Sequence, residues 1–257
     1  MGDPQQVRRY GELTVQLFDT PAALGAKAAE DLAATLKESI ARRGFASIVV
    51  ATGNSQLEFM AALRRREDVE WDKVLVFHMD EYLGMSDRHP ASFQRYIREK
   101  LTDVVRPRTF FGIRGDTQDV AGELRRYTGL LKEYPPDACV MGIGENGHLA
   151  FNDPPADFGT TETIHVVRLD DACRMQQVGE GHFAKLKEVP EDALSLTVPG
   201  LLSARRLLVV VPERRKAAAV KAALEGPVTP DCPASILQRR SHAWLYLDRE
   251  SSSLLAS

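Results

Sequence analysis

Short apolar runs that alternate with longer amphipathic stretches constrain the fold of this chain more than any other feature. Several runs, such as Ser47–Ala51 and Lys73–Met79, lack polar residues at alternate positions. Strands covered on both faces have this pattern. Their alternation with helices of ten or more residues is typical of a mainly parallel sheet. We therefore predict an open, doubly wound α/β fold.

The predicted elements follow one another without a linker or an internal repeat. The predicted strands are Leu13–Phe18, Ser47–Ala51, Lys73–Met79, Ala138–Ile143, Leu194–Val198, Arg206–Val211 and Ala243–Leu247. The predicted helices are Ala22–Arg43, Leu57–Arg65, Ser92–Val105, Val120–Glu133 and Glu213–Leu224. We expect a single domain over residues 1–257.

Charge, hydropathy and cysteine content argue against several classes of protein. The 33 Lys and Arg against 36 Asp and Glu give a net charge of −3, and basic residues cluster only in pairs and triplets, unlike the basic surface of a nucleic-acid binder. No apolar run approaches the ~18–20 residues that span a bilayer, and residues 1–20 lack an apolar signal region. Three widely spaced cysteines fit neither a disulfide framework nor a zinc site: Cys139, Cys173 and Cys232. We expect a cytoplasmic protein without a metal, a membrane or a nucleic-acid partner.

A small polar turn, Thr52-Gly53-Asn54-Ser55, follows the second predicted strand. Gly53 permits close approach of a ligand to the backbone. The hydroxyls and the free N–H groups at the start of the next helix suit a phosphate. The turn is also consistent with an ordinary helix cap at Ser55, and it lacks the spacing of a Walker phosphate loop.

Two adjacent carboxylates, Asp80 and Glu81, follow the strand Lys73–Met79. Partial burial in a cleft raises the pKa of a carboxylate, so that it can act as a general base. Because side chains alternate along an extended chain, only one of the two is expected to face a ligand. A solvated turn at the end of the strand is the alternative interpretation.

A glycine-rich segment follows the strand Ala138–Ile143. Its glycines formally satisfy G-x-G-x-x-G: Gly142, Gly144 and Gly147. Pro154-Pro155 ends any helix within two turns, which argues against a nicotinamide or flavin cofactor. The segment instead brings His148 near Glu145 and Asp153. Histidine titrates near neutral pH, and a carboxylate on one ring nitrogen would fix its tautomer.

Two cations, Lys216 and Arg174, are candidate phosphate ligands. Lys216 lies early in the helix Glu213–Leu224, and Arg174 lies in the segment A-C-R-M-Q-Q. Either can donate a charge-assisted hydrogen bond to a phosphate. Either is also consistent with a solvated helix face.

Five segments occur in order over most of the chain. They are T-G-N-S at 52–55, F-H-M-D-E-Y at 77–82, G-I-G-E-N-G-H-L-A-F-N-D-P at 142–154, R-K-A-A-A-V-K-A-A-L-E-G at 215–226 and P-A-S-I-L-Q at 233–238. In this arrangement the chain resembles the glucosamine-6-phosphate deaminase/isomerase family, whose superfamily includes 6-phosphogluconolactonases. The A-F-N-D-P continuation is typical of the deaminase branch.

The resemblance implies a modified Rossmann-type sheet, no metal, no redox cofactor, and the conversion of glucosamine 6-phosphate and water to fructose 6-phosphate and ammonia. It implies that Asp80 is the general base that moves a proton between C2 and C1, with Glu81 beside it. It implies that His148 assists ring opening. The implied phosphate ligands are Thr52, Gly53, Asn54, Ser55 and Lys216, with Arg174 as a further candidate.

Two positions of the ring-opening segment depart from the family pattern. Well-studied members have an aspartate in place of Asn146 and a glutamate in place of Asp153. Glu145 is a candidate replacement for the missing acid, and Gly147 adjoins His148. A lactonase-like hydrolase, with His148 activating water, and a non-catalytic phosphosugar sensor are the alternatives. The resemblance also permits a homo-oligomer.

Overall fold

An eight-stranded sheet forms the centre of the computed structural model, which describes residues 3–179, 181 and 183–256. The strands of the described residues are β1 (Gln6–Tyr10), β2 (Leu13–Phe18), β3 (Ala46–Val50), β4 (Val74–His78), β5 (Asp80–Tyr82), β6 (Thr109–Phe111), β7 (Ala138–Met141), β8 (Ile164–Arg168), β9 (Asp192–Leu196), β10 (Arg206–Val211) and β11 (Ala243–Asp248). The order in the large sheet is β1-β2-β11-β10-β7-β3-β4-β6. The pair β1–β2 is antiparallel and the other neighbours are parallel, which confirms the predicted mainly parallel sheet.

A second, antiparallel sheet has the order β5-β9-β8. Only Met79 separates the end of β4 in the large sheet from the start of β5 in the small one. The Met79 carbonyl accepts a hydrogen bond from the Leu196 N–H at 2.7 Å, and Asp80 pairs with Ser195. The alternative interpretation of Asp80 and Glu81 as a solvated turn is therefore wrong, because both belong to a buried strand.

Helices cover both faces of the large sheet. They are α1 (Pro21–Arg43), α2 (Leu57–Leu63), α3 (Phe93–Ile97), α4 (Asp103–Val105), α5 (Val120–Glu133), α6 (Asp171–Gly179), α7 (Val198–Leu202) and α8 (Ala217–Glu225). A π-helical segment, Arg98–Thr102, joins α3 to α4, and 3-10 turns cover Asn54–Gln56, Trp71–Lys73, Leu186–Glu188, Arg214–Lys216 and Pro233–Arg239. Within the described ranges, none of the helices combines the length and the apolar character needed to cross a membrane.

The longest helix, α1, shows how the sequence produces these layers. The Thr20 side chain accepts a hydrogen bond from the Ala23 N–H, and Pro21 occupies the first turn, where its missing N–H costs nothing. Buried apolar residues then recur every four positions on one face: Leu24, Ala28, Leu32 and Leu36.

Two apolar cores lie on opposite faces of the large sheet. One core joins α1, α2 and α3 to the sheet, and the other joins α5, α7 and α8. This arrangement is the three-layer, doubly wound architecture that the alternation of strands and helices predicts.

Several short elements were not predicted: β1, β5, β6, β8, α6 and α7. The strands β1 and β8 are largely exposed and alternate in burial, and β5 and β6 have only three residues each, so none of the four forms an apolar run. The predicted strand Leu194–Val198 was placed two residues too late. The Thr197 side chain accepts a hydrogen bond from the Gly200 N–H at 3.0 Å and starts α7 there.

The strand order reverses between β3 and β7. From β3 the chain builds outward through β4 to β6, whereas β7, β10 and β11 build in the opposite direction. Loops that leave the carboxyl ends of two such strands diverge and open a crevice, the usual ligand site of an open α/β sheet.

Candidate active site

A cavity lies in this crevice. Its lining comes from the carboxyl ends of four adjacent strands, β10, β7, β3 and β4, and from α3 and α6. The lining includes Thr52, Gly53, Ser55, Asp80, His148, Gln177 and Lys216. Six of the 13 predicted site residues thus line one cavity, and they come from four separate motifs.

The turn Thr52–Ser55 connects β3 to a 3-10 turn and then to α2. Gly53 has a φ of 100°, which favours glycine. The Tyr96 hydroxyl donates a hydrogen bond to the Gly53 carbonyl at 2.9 Å. Neither the 3-10 turn nor α2 has a side-chain cap, so the interpretation of Ser55 as an ordinary helix cap is wrong. Asn54 is exposed, whereas the other three residues line the cavity.

Asp80 faces the cavity although its side chain is buried. Burial raises the pKa of its carboxyl group to about 8, and the neighbouring Glu81 charge also raises it. Both effects make this carboxylate a stronger base than an ordinary aspartate, as the removal of a proton from carbon requires.

Glu81 points away from the cavity and holds the start of α3. Its carboxylate accepts hydrogen bonds from the Ser92 hydroxyl at 2.7 Å and from the N–H groups of Gln94 at 3.0 Å, Phe93 at 3.2 Å and Tyr82 at 3.0 Å. Burial raises the pKa of Glu81, and these four hydrogen bonds oppose that rise. The alternation of side chains along β5 thus gives two adjacent carboxylates two different surroundings.

His148 contacts a carboxylate on the side away from the cavity. Its Nδ1 lies 3.2 Å from Asp153 Oδ1, which leaves Nε2 as the ring nitrogen available to a ligand. The Asn146 amide donates to the same Asp153 oxygen at 2.9 Å, and its carbonyl accepts from the His148 N–H at 3.1 Å. Burial raises the pKa of Asp153, but the contacts with His148 and Asn146 outweigh burial and lower it.

Two neighbours of His148 in the sequence lie outside the cavity. Glu145 is exposed and forms an ion pair with Arg215 at 3.1 Å. Gly147 is buried, and its carbonyl accepts a hydrogen bond from the Ala234 N–H at 2.9 Å. Glu145 therefore does not supply a carboxylate beside the His148 ring in this conformation.

The two candidate cations differ in position. Lys216 is buried, lines the cavity and directly precedes α8. Arg174 does not line the cavity: it forms an ion pair with Asp171 at 3.0 Å and donates to the carbonyls of Leu186 and Val189, each at 3.0 Å.

Gln177, three residues beyond Arg174 on α6, lines the cavity and was not predicted. Its Oε1 accepts a hydrogen bond from the Tyr82 hydroxyl at 2.9 Å. Residues three positions apart lie on the same face of a helix, so a helix predicted over this segment would have placed Gln177 beside Arg174. The segment was not predicted to be a helix. Other unpredicted lining residues include Met79, Phe93, Ala150 and Phe151.

The chain is similar in sequence and fold to several known proteins. The family model "Glucosamine-6-phosphate isomerases/6-phosphogluconolactonase" matches residues 19–246. A glucosamine-6-phosphate deaminase of Exiguobacterium sibiricum is 36% identical over 222 residues, covering 86% of each chain. The solved structure of a monomeric glucosamine-6-phosphate deaminase is 30% identical, with a TM-score of 0.87 over 94% of this chain and 99% of the other. A 6-phosphogluconolactonase of Shewanella baltica, 20% identical, shares the fold with a TM-score of 0.75 over 96% of this chain and 99% of its own. The chain therefore belongs to the family of glucosamine-6-phosphate isomerases and 6-phosphogluconolactonases.

Proposed function

We propose that this protein converts glucosamine 6-phosphate and water to fructose 6-phosphate and ammonia. The observation that carries the proposal is the position of Asp80, a buried carboxylate in the same cavity as a basic and hydroxyl-rich anion site and a carboxylate-paired histidine. The deaminase relatives, 30–36% identical over most of the chain, support the same reaction.

The phosphate binds to the turn Thr52–Ser55 and to Lys216. The phosphate dianion is complemented by the hydroxyls of Thr52 and Ser55, by the N–H groups of the turn and by the ammonium group of Lys216. This end of the substrate does not react, so its binding energy serves to orient the sugar carbons against Asp80.

His148 opens the sugar ring. Nε2 transfers a proton from the anomeric hydroxyl to the ring oxygen, and the negative charge of Asp153, 3.2 Å from Nδ1, favours the tautomer with its proton on Nδ1 that this transfer requires. The product is an open-chain aldehyde with its amino group on C2.

Asp80 then moves a proton from C2 to C1. Its carboxylate removes the C2 proton while O1 takes up a proton from water, which gives an enolamine, and the same carboxyl group returns the first proton to C1. The resulting C2 imine takes up water and releases ammonia, which leaves the ketone of fructose 6-phosphate.

The pH dependence of kcat/KM is expected to report the raised pKa of Asp80. Only the ionised carboxylate removes a proton, so kcat/KM falls as the pH drops below about 8, approaching tenfold per pH unit. The measurement is ammonia release across pH 5 to 10. The residual activity of Asp80→Asn should lack this limb, whereas titrating substrate groups would affect both proteins. An acid limb near pH 4, the ordinary aspartate range, would contradict the assignment.

A substrate screen tests the reaction itself. Ammonia and ketose phosphate are expected in equal amounts from glucosamine 6-phosphate, with galactosamine 6-phosphate and 6-phosphogluconolactone assayed in parallel. Lactone hydrolysis that survives Asp80→Asn but not His148→Gln would indicate a hydrolase instead. Tight phosphosugar binding without turnover would indicate a sensor.

The reaction is further proposed to take place in the cytoplasm. The free thiols of Cys139, Cys173 and Cys232 support a reducing compartment.

The oligomeric state stays a prediction that light scattering can test, and one solved relative is described as monomeric.

A further inference from the structure

Three side chains that offer nitrogen, oxygen and sulfur ligand atoms lie together beside the cavity, and one of them is His148. The imidazole of His148, the carboxylate of Asp153 and the thiol of Cys173 each offer an atom within 4.8 Å of the other two. The proposed reaction uses the first two side chains and leaves Cys173 without a role. The Cys173 N–H donates a hydrogen bond to the Asp170 carboxylate at 2.6 Å, which fixes the start of α6 and thereby the position of the buried thiol.

The geometry leaves coordinating atoms available in this cluster. Among the described residues, His148 Nδ1 is buried and has no partner with hydrogen-bond geometry, and the Cys173 thiol contacts the Asp153 carboxylate. Buried polar atoms without such a partner are rare in native proteins, and a bound ion or water is a common reason for them. The distance between His148 Nδ1 and Asp153 Oδ1 is 3.2 Å.

This donor set selects the class of ion. Nitrogen, oxygen and sulfur ligands in one site suit Zn²⁺, whereas Ca²⁺ and Mg²⁺ prefer oxygen ligands alone. Zinc bonds of ~2.0–2.3 Å in a tetrahedron place ligand atoms roughly 3.3–3.8 Å apart. The distance of 3.2 Å between His148 Nδ1 and Asp153 Oδ1 is close to that spacing, and the Cys173 sulfur lies within 4.8 Å of a ligand atom of each of these two side chains.

We propose that Zn²⁺ binds to His148 Nδ1, the Asp153 carboxylate and Cys173 Sγ, and that it inhibits the enzyme. Three protein ligands leave a fourth position for a water molecule from the adjoining cavity. Binding converts the thiol to a thiolate and releases its proton to solvent. The metal also replaces the contact between His148 and Asp153, so the ring no longer carries a proton on Nδ1 when it acts on the sugar. Metal binding is independent of the proposed function, but inhibition rests on it.

Cobalt binding tests the site without an activity assay. Titration of the purified protein with Co²⁺ is expected to give a thiolate-to-cobalt charge-transfer band that saturates at one ion per chain. Cys173→Ser should abolish the band, and Zn²⁺ should displace Co²⁺ from the unmodified protein. Cys232→Ser is the matched control, because Cys232 also lies near the glycine-rich segment but outside the cluster. A missing band, or a band that Cys173→Ser leaves unchanged, would overturn the proposal.

Inhibition is measured separately as ammonia release with increasing Zn²⁺, each variant being compared with its own metal-free rate. The zinc concentration for half inhibition should rise at least roughly 10- to 100-fold in Cys173→Ser and stay unchanged in Cys232→Ser. Equal sensitivity of the two variants would reject inhibition at this site. If the protein releases no ammonia under any condition, the proposed function fails while the cobalt band still decides the metal site.

Discussion

Asp80→Asn is expected to lower kcat for ammonia release by about 10²–10⁴-fold, the usual contribution of a positioned general base. The amide keeps the shape of the side chain but has no basic oxygen to remove the C2 proton. KM should change little, because the phosphate is held by the turn Thr52–Ser55 and by Lys216. Steady-state kinetics over a range of substrate concentration separates the two parameters.

A thermal unfolding scan separates this chemical effect from misfolding. Burial disfavours the charged form of Asp80, so the neutral amide should not lower the Tm. Asp72→Asn, the same change at an exposed position, is the matched control and should leave both kcat and Tm unchanged. An Asp80→Asn protein that keeps more than a tenth of the original kcat would exclude Asp80 as the general base.

Gly144→Ala is expected to reduce kcat/KM by roughly 100-fold or more while the chain still folds. A Cβ atom at this position would lie within 3.0 Å of three atoms of the His148 ring, namely Cε1, Nδ1 and Nε2. The ring can rotate away, but it then loses its place against Asp153 and the substrate. A displacement of about 1 Å at a catalytic group can cost this much in rate.

Gly129→Ala is the control for the same chemical change. Gly129 lies on the exposed face of α5 with no atom within 4 Å of an added Cβ, so alanine should stabilise that helix by about 1 kcal/mol and leave the rate unchanged. The ring position in Gly144→Ala can be followed by the NMR chemical shifts of His148. Unchanged shifts together with full activity would show that the ring does not need the space above Gly144.

The central layers of the fold were predictable because their strands are apolar throughout. Buried parallel strands such as β3 and β10 have no polar alternation, and α1 has a strong cap and a regular apolar face. By contrast, β1 and β8 alternate weakly and are mostly exposed, so tertiary pairing rather than local sequence determines them. In the small sheet, β8 escaped prediction for this reason, whereas β5 is buried but has only three residues.

The site was predictable only where a motif lies at the end of a buried strand. The positions of Asp80 and His148 follow from that rule, and the opposite orientation of Glu81 follows from strand geometry. Gln177 and Cys173 lie on α6, whose place over the cavity depends on packing between distant segments. No local pattern distinguishes their roles from those of ordinary helix residues.

The single residue between β4 and β5 has a mechanical consequence. A carboxylate on a surface loop moves with that loop, but Asp80 is anchored by backbone pairing in one sheet and lies one residue from a strand of another. Its position relative to the bound sugar thus depends on the angle between the two sheets. A substitution that loosens the packing around Tyr82 at a residue outside the cavity would therefore alter turnover without touching a reacting atom.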